Sequence, residues 1–341
     1  GDLKTVGRVG GKAMLWFITA SIMSLFIGML LVNFFKPGLS IKLELADKDG
    51  VKDLMGKVEG FSVDNFITHI IPKSVIEAMA TNEILQIVVF SILFGVAAAA
   101  MGEKSKGLVK ALDTVSHIIL KMVGYIMNVA PLGVFGALAA VVAVKGLGIF
   151  NFYIKYFAAF LVGIGVLWLV LIVIGYLILG SRMKVLFKRI GNPLLIAFST
   201  TSSEAVFPKL TEELERFGCN NKIVAFILPL GYSFNLDGSM MYMTFASIFI
   251  AQAYGVQLDY GTQITMLLVL MLTSKGIAGV PRASLVVVLA TCAMFKIPPE
   301  GVAIILPIDH FCDMFRSATN VLGNALATTV VSKWEGALEK S

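Results

Sequence analysis

The chain has 341 residues, of which 57% are hydrophobic and only 15% charged, and its mean hydropathy is +0.86. A soluble domain carries about 25% charged residues, so this composition excludes a soluble protein and is typical of a multi-pass membrane protein. The net charge of +6 does not indicate nucleic-acid binding, because the basic residues lie in short loops between apolar runs. Cys219, Cys292 and Cys312 show no CxxC spacing and predict neither a disulfide nor a metal site.

Apolar runs of membrane-spanning length recur along the first half of the chain. A helix is predicted over 7–36, where residues 13–35 carry no charge. Segment 65–145 predicts a short helix followed by two longer ones, the last kinked at Ala130-Pro131. Segment 151–181 is the most uniformly apolar of all and predicts a further transmembrane helix.

After residue 181 polar stretches interrupt the apolar runs. Segments 184–217, 222–254 and 258–295 are each broken near the middle, whereas 299–334 is of span length and carries charges. Basic residues flank particular segments, and the positive-inside rule places them on the cytoplasmic side: Lys4, Arg8, Lys12, Lys104, Lys106, Lys110, Arg182, Lys184, Lys188, Arg189 and Lys333. Both ends of 184–217 are then cytoplasmic and both ends of 258–295 external, which predicts two re-entrant hairpins.

Broken segments that enter from opposite faces are typical of inverted-repeat secondary transporters. Irregular backbone at membrane depth is tolerated only where protein encloses it. The alternative, that these segments are ordinary kinked helices, stays open at this point.

The last predicted helix carries five polar residues on one face: Asp309, Asp313, Arg316, Asn320 and Asn324. At 100° per residue they fall within an arc of about 80°. Each charged group would cost roughly 2.5–3.5 kcal/mol if it faced lipid, so the arc must face the protein interior. It is either a local ion pair between Asp313 and Arg316, or a site where Arg316 binds a carboxylate and an aspartate binds an ammonium group.

Two further polar breaks suit ions. The break at Asn235–Gly238 frees carbonyl oxygens beside the Asp237 carboxylate, which together suit a hard cation, or else Asp237 only caps the following helix. We therefore consider sodium at Asn235, Asp237 and Asn320. The serine-rich turn at Thr200–Ser203 suits an anion or caps a helix, and Glu204 beside it is a candidate proton carrier or a solvated residue.

Four strings carry a resemblance to a known family: FSTTSSEAVFP, GYSFNLDGSMMY, SKGIAGVPRAS and DMFRSATNVLGNALATTVVSKWEG. They occur in the same order in the glutamate transporters, the dicarboxylate/amino-acid:cation symporters, and the chain resembles that family from about residue 7 to residue 336. The resemblance implies an all-α inverted-repeat transporter with two re-entrant helical hairpins. It also implies a homotrimer in the cell membrane, in which a transport domain slides against a scaffold formed here by 65–145.

Family members normally have two more helices before the first helix of this chain. The chain also opens with Gly1-Asp2 rather than Met, which leaves open a start further upstream. The resemblance therefore implies that the scaffold and its trimer contacts are incomplete in this sequence.

The resemblance also implies roles for individual residues. The expected substrate contacts are Ser202, Ser203, Ser239, Val280, Ser284, Asp313, Arg316, Ser317 and Asn320. The residues expected to couple cations are Gly231, Asn235, Asp237, Asn320 and Asn324, together with the carboxylates Glu204 and Asp309. Arg316 would bind a side-chain carboxylate and Asp313 an α-amino group, which implies glutamate or aspartate. A C4-dicarboxylate symporter is the alternative.

The coupling ion is less determined, because the sodium-coupled pattern has an aspartate where Asn324 stands and hydroxyls where Phe17 and Ala20 stand. Glu204 and Lys275 are additional ionisable groups, so proton or mixed coupling is favoured. A channel would place charges on several helices. An intramembrane enzyme would need a motif such as HExxH or GxSxG, which the chain lacks. We therefore expect no enzyme, no cofactor beyond the coupling ion, and no nucleic-acid partner.

Overall fold

The computed structural model describes residues 3–40, 74–80, 84–127, 149–274 and 283–339, and three single positions between 128 and 148. Within these ranges the regular structure is helical, apart from one isolated bridge between Cys219 and Leu338. Several predictions lie outside the described residues: the kink at Ala130-Pro131, Lys275, Val280 and the tip of the second hairpin.

Twelve α-helices are numbered here in chain order within the described ranges. They are α1 Leu3–Phe35, α2 Val75–Ala80, α3 Ile84–Met101, α4 Lys106–Met127, α5 Ile149–Leu179, α6 Arg182–Thr200, α7 Phe207–Arg216, α8 Asn221–Phe234, α9 Asp237–Ala253, α10 Tyr260–Thr273, α11 Ala283–Met294 and α12 Val302–Trp334. Short 3₁₀ turns lie at Pro37–Ser40, Gly102–Ser105, Glu204–Val206 and Pro299–Gly301. The sequence correctly predicted helices at these places.

Three of the described segments are long and apolar enough to cross a bilayer: Gly7–Leu39, Phe150–Leu179 and Asn221–Ala253. Helix α12 has 33 residues, or about 50 Å at 1.5 Å per residue, and it is also long enough to cross. It is more polar because other helices surround it, and every residue from 316 to 332 is buried. A polar helix of this length is stable in a membrane only inside a protein shell.

The predicted break in segment 222–254 is confirmed. Helix α8 ends at Phe234, and Asn235 (φ −124°, ψ 65°) and Leu236 (φ −100°, ψ 62°) leave the helical region before α9 begins. Helix α9 is buried along its whole length except at Gln252. The break therefore lies inside the protein, where its freed backbone groups meet protein atoms.

Segment 184–217 forms a helical hairpin, as predicted. Helix α6 ends at Thr201, whose φ of 52° reverses the chain, and the 3₁₀ turn Glu204–Val206 leads into α7. The ring of Phe198 on α6 lies 4.9 Å from that of Phe315 on α12, so the hairpin tip packs beside the polar arc. The entry of this hairpin from the cytoplasmic side stays a prediction.

An aromatic cluster fixes α5 against α9. Tyr156 lies edge-on to Phe249 at 4.7 Å and to Phe245 at 5.4 Å, and Phe160 lies 5.7 Å from Tyr242. Such pairs contribute about 0.5–1.5 kcal/mol each beyond the area they bury. They hold Tyr242 in place at the centre of the molecule.

Candidate functional site

The polar arc of α12 faces the interior, as its spacing predicted. Arg316 is only 1% exposed, and its Nη2 lies 2.9 Å from Asp313 Oδ1 and 3.2 Å from Asp309 Oδ1. Its guanidinium carbon lies 4.0 Å from the ring centroid of Tyr242, a cation–π contact. Two carboxylates therefore share one nitrogen of one guanidinium, within an almost fully buried cluster.

The remaining N–H groups of Arg316 give this cluster its chemical character. Nε and Nη1 make no hydrogen bond to any residue that the structure describes, although both are buried. A buried donor without a partner costs about 1–3 kcal/mol, and native structures tolerate it mainly where a ligand binds. The planar fork of these groups matches the two oxygens of a carboxylate.

Asn320 closes the start of α9 from the neighbouring helix. Its Oδ1 accepts hydrogen bonds from the backbone N–H of Gly238 (2.9 Å) and Ser239 (3.3 Å), and its Nδ2 donates to Ser239 Oγ (3.2 Å). These N–H groups have no partner within their own helix, so Asn320 acts as an N-cap supplied by a distant segment. The bond explains why Asn320 and Ser239 lie together at the site.

Polar side chains from three helices converge on the α8–α9 break. Asn235 Nδ2 donates to Asp237 Oδ2 at 3.2 Å, and Ser24 Oγ on α1 donates to Asp237 Oδ1 at 3.3 Å. Asn235 Oδ1 is buried and has no hydrogen-bond partner among the described residues. A carboxylate and an unpaired amide oxygen are ligands of the kind that sodium takes, so Asn235 and Asp237 fit a hard cation.

The closeness of these groups depends on glycine. A Cβ atom on Gly323 of α12 would overlap the Asp237 carboxylate, and one on Gly231 of α8 would lie 2.5 Å from Asn324 Oδ1. Both glycines therefore allow polar side chains to lie directly against a helix backbone.

The first hairpin contributes the serine-rich turn. Ser203 is 4% exposed, whereas Ser202 and Glu204 are half-buried. Ser202 Oγ lies 3.2 Å from Glu204 Oε2 and accepts a hydrogen bond from the Ala205 N–H at 3.2 Å. The turn is thus partly occupied by its own capping bonds, one of the two interpretations of the sequence.

Other residues named from the sequence are placed less closely. Ser317 (5% exposed) lies on α12 next to Arg316, and Ser284 (7% exposed) lies at the start of α11. Phe17 and Ala20 are buried on α1.

Sequence reasoning missed two residues of this site. Tyr242 provides the ring under Arg316, and Ser24 provides a hydroxyl from α1 to Asp237. The string GYSFNLDGSMMY contains the first. The second stands one turn after Ala20, where the resemblance had indicated a lost hydroxyl, and a serine in an apolar span is a signal that could have found it.

The family profile of the sodium:dicarboxylate symporters matches residues 1–334. The chain belongs to this family. It is therefore a symporter and a multi-pass protein of the cell membrane, not an enzyme, and the resemblance carried by the four strings is confirmed.

Relatives within the sodium:dicarboxylate symporter family bear two kinds of name. The C4-dicarboxylate transport protein of Rhizobium etli is 43% identical over 347 residues, which cover 99% of this chain and 77% of the relative. That of Bacillus subtilis is 39% identical over 347 residues, covering 100% and 82%. The proton/sodium-glutamate symport protein of Bacillus caldotenax is 38% identical over 341 residues, covering 98% and 80%. Similarity alone does not separate these two substrates.

Proposed function

We propose that this symporter carries acidic amino acids, glutamate or aspartate, together with a proton, a sodium ion or both. The observation that supports the substrate class is Arg316, whose Nε and Nη1 are buried without a partner in the described structure and suit a carboxylate. Asp313, with a side chain 23% exposed, is the most accessible acid of the cluster and would receive the α-ammonium group.

The sodium:dicarboxylate symporter relatives also support a second substrate class, the C4-dicarboxylates. A dicarboxylate would bring a second negative charge towards Asp309 and Asp313, where one guanidinium already faces two carboxylates. Repulsion between like charges at short range in a buried site is large. This charge balance favours the zwitterionic amino acid over the dicarboxylate.

Transport by an elevator movement of two re-entrant hairpins and their neighbouring helices, within a homotrimer, is part of the same proposal. Packing of α6 against α12 through Phe198 and Phe315 supports a single moving unit. The scaffold would be segment 65–145, of which α2, α3 and α4 are described.

The test of the substrate class is direct binding of aspartate, glutamate and succinate to the purified symporter. Arg316→Ala should weaken binding of aspartate by about 30-fold to several thousand-fold, because a charged hydrogen bond in a buried site is worth about 2–5 kcal/mol. Arg216→Ala is a matched control, since Arg216 is 58% exposed and pairs with Glu212 away from the site. Unchanged aspartate affinity in Arg316→Ala would overturn the assignment.

The coupling ion is tested with Glu204, which carries the only carboxylate of the serine-rich turn. If Glu204 carries a proton, a pH gradient without sodium should drive uptake into proteoliposomes, and Glu204→Gln should lose that drive while still binding substrate. Glu212→Gln, in the solvent-facing part of α7, is the control. Uptake that requires sodium and ignores the pH gradient would show that Glu204 is structural.

A further inference from the structure

The amide of Asn324 lies against the backbone where α8 is interrupted. One amide atom of this side chain lies 3.3 Å from the Gly231 carbonyl oxygen and 3.2 Å from the Asn235 carbonyl oxygen. The Gly231 oxygen already accepts the N–H of Asn235 at 2.8 Å, and a carbonyl oxygen can accept a second bond. Asn324 is 1% exposed, so water has little access to these oxygens.

The two orientations of this amide differ in their contacts. With Oδ1 towards the break, Asn324 accepts one bond from Asn235 Nδ2 at 3.2 Å, and three oxygens meet without a hydrogen between them. With Nδ2 there, Asn324 donates to both carbonyls and gives up the bond from Asn235. The orientation of an amide is decided by its hydrogen bonds, and two bonds without oxygen–oxygen repulsion favour the second.

We infer that Asn324 donates both amide hydrogens to the carbonyls of Gly231 and Asn235, and so makes a metal cation unnecessary at this corner of the break. Oxygen atoms that converge in a buried place need a positive partner, which is either a cation or the positive end of N–H bonds. The amide supplies that partner within the neutral protein. Asn324 thus determines whether this corner requires a coupling ion, independently of the Asn235 and Asp237 side chains.

The bond from Asn235 Nδ2 to Asp237 Oδ2 is kept in this arrangement. The inference therefore concerns one corner only and leaves the Asp237 carboxylate available to a cation or a proton. It rests on the proposed function only in treating the α8–α9 break as the ion-coupling region.

The substitution that separates the two states is Asn324→Asp, because a carboxylate accepts hydrogen bonds but donates none. Its oxygens would join the two carbonyls to form an anionic cage that requires a cation. Thermal unfolding of the purified symporter is measured in sodium chloride and in choline chloride at equal ionic strength, without substrate. We expect sodium to raise the melting temperature of Asn324→Asp more than that of the unmodified chain.

Substrate binding gives the second measurement. Aspartate affinity of Asn324→Asp should rise at least about fivefold on replacing choline by sodium, the lower end of usual coupling between sites. The rise in the unmodified chain should be smaller. Asn33→Asp is a matched control, because Asn33 is a partly buried helical amide bonded to Gln263 and Met29, and its response to sodium should equal that of the unmodified chain.

Two outcomes would overturn the inference: Asn324→Asp responds to sodium no more than the unmodified chain, or an existing sodium response disappears in it. If Asn324→Asp folds in neither salt, Asn324→Ser and Asn324→Ala decide, since only serine offers an oxygen to a cation. Equal sodium responses of these two would also overturn it. Failure of the unmodified chain to bind acidic substrates would instead contradict the proposed function, and the melting curves would still test Asn324.

Discussion

Arg316 is held from below by the Tyr242 ring and from one side by two carboxylates, so its orientation is fixed before any substrate arrives. Preorganisation of this kind reduces the conformational entropy lost on binding. Asp309 and Asp313 differ in access, because Asp309 is fully buried and Asp313 is partly exposed. Asp309 therefore positions the guanidinium, whereas Asp313 is placed to meet a ligand.

Substitution of Asp313 by serine tests that division at the residue scale. The change removes the carboxylate that would bind the α-ammonium group, so affinity for aspartate should fall by about 30-fold or more, while succinate should bind at least as well. Calorimetric titration with both ligands measures this. The control Asp259→Asn removes a carboxylate that caps α10 outside the site. Equal losses for both ligands would mean that Asp313 only supports Arg316.

At the scale of elements, the site depends on how closely α12 approaches the break between α8 and α9. Asn320 caps α9 from outside its own chain segment, and Gly323 leaves room for the Asp237 carboxylate. The indole Nε1 of Trp168 on α5 donates to Thr319 Oγ1 at 2.7 Å and fixes the rotation of α12 about its axis. The break is therefore stabilised by neighbouring helices rather than by its own residues.

Gly323→Ala should destabilise the protein even though alanine is the better helix former. The added Cβ would overlap Asp237, and forcing an extra carbon into a packed core typically costs about 1–3 kcal/mol. Gly165→Ala on α5 is the matched control, since nothing lies within 4 Å of its added Cβ and helix propensity alone should stabilise it by about 0.5–1 kcal/mol. Thermal unfolding of both variants measures the difference, and equal effects would contradict the close approach.

At the scale of the whole molecule, the end of the chain joins the predicted cytoplasmic ends of several helices. Glu335, just after α12, pairs with Arg8 at 2.7 Å and Lys12 at 2.6 Å on α1. Arg182 at the start of α6 donates to the carbonyl oxygens of Glu339 (2.8 Å) and Phe217 (2.7 Å). These bonds hold α1, α6 and α12 together outside the membrane-spanning part.

The hydrogen bonds from Arg8 and then Lys12 lower the pKa of Glu335 below its usual value of 4.5. A carboxyl group with a lowered pKa in the folded state adds stability above its unfolded pKa, and this contribution disappears as the pH falls through the folded pKa. Glu335→Gln should therefore lower the melting temperature at pH 7, with a cost of about 0.2–1 kcal/mol, and much less near pH 3. A pH-independent effect would show that packing of Glu335, rather than its charge, matters.

The sequence by itself determined the class of the protein and the order of its helices. Apolar runs longer than a bilayer have few alternatives to a transmembrane helix, so α1, α5 and α12 could be predicted. The α8–α9 break followed from Asn235–Gly238, because polar residues inside an apolar run are stable only around an enclosed site. The 100° period alone placed Asp309, Asp313 and Arg316 on one face.

Only the tertiary structure decided which groups meet across helices. The ring of Tyr242 under Arg316, the hydroxyl of Ser24 at Asp237 and the cap from Asn320 to α9 join residues far apart in the chain. Periodicity fixes the direction of a side chain from its own helix, but the partner depends on the rotation and depth of a second helix. The same limit applies to Asn324, whose role follows from two backbone carbonyls that no sequence pattern displays.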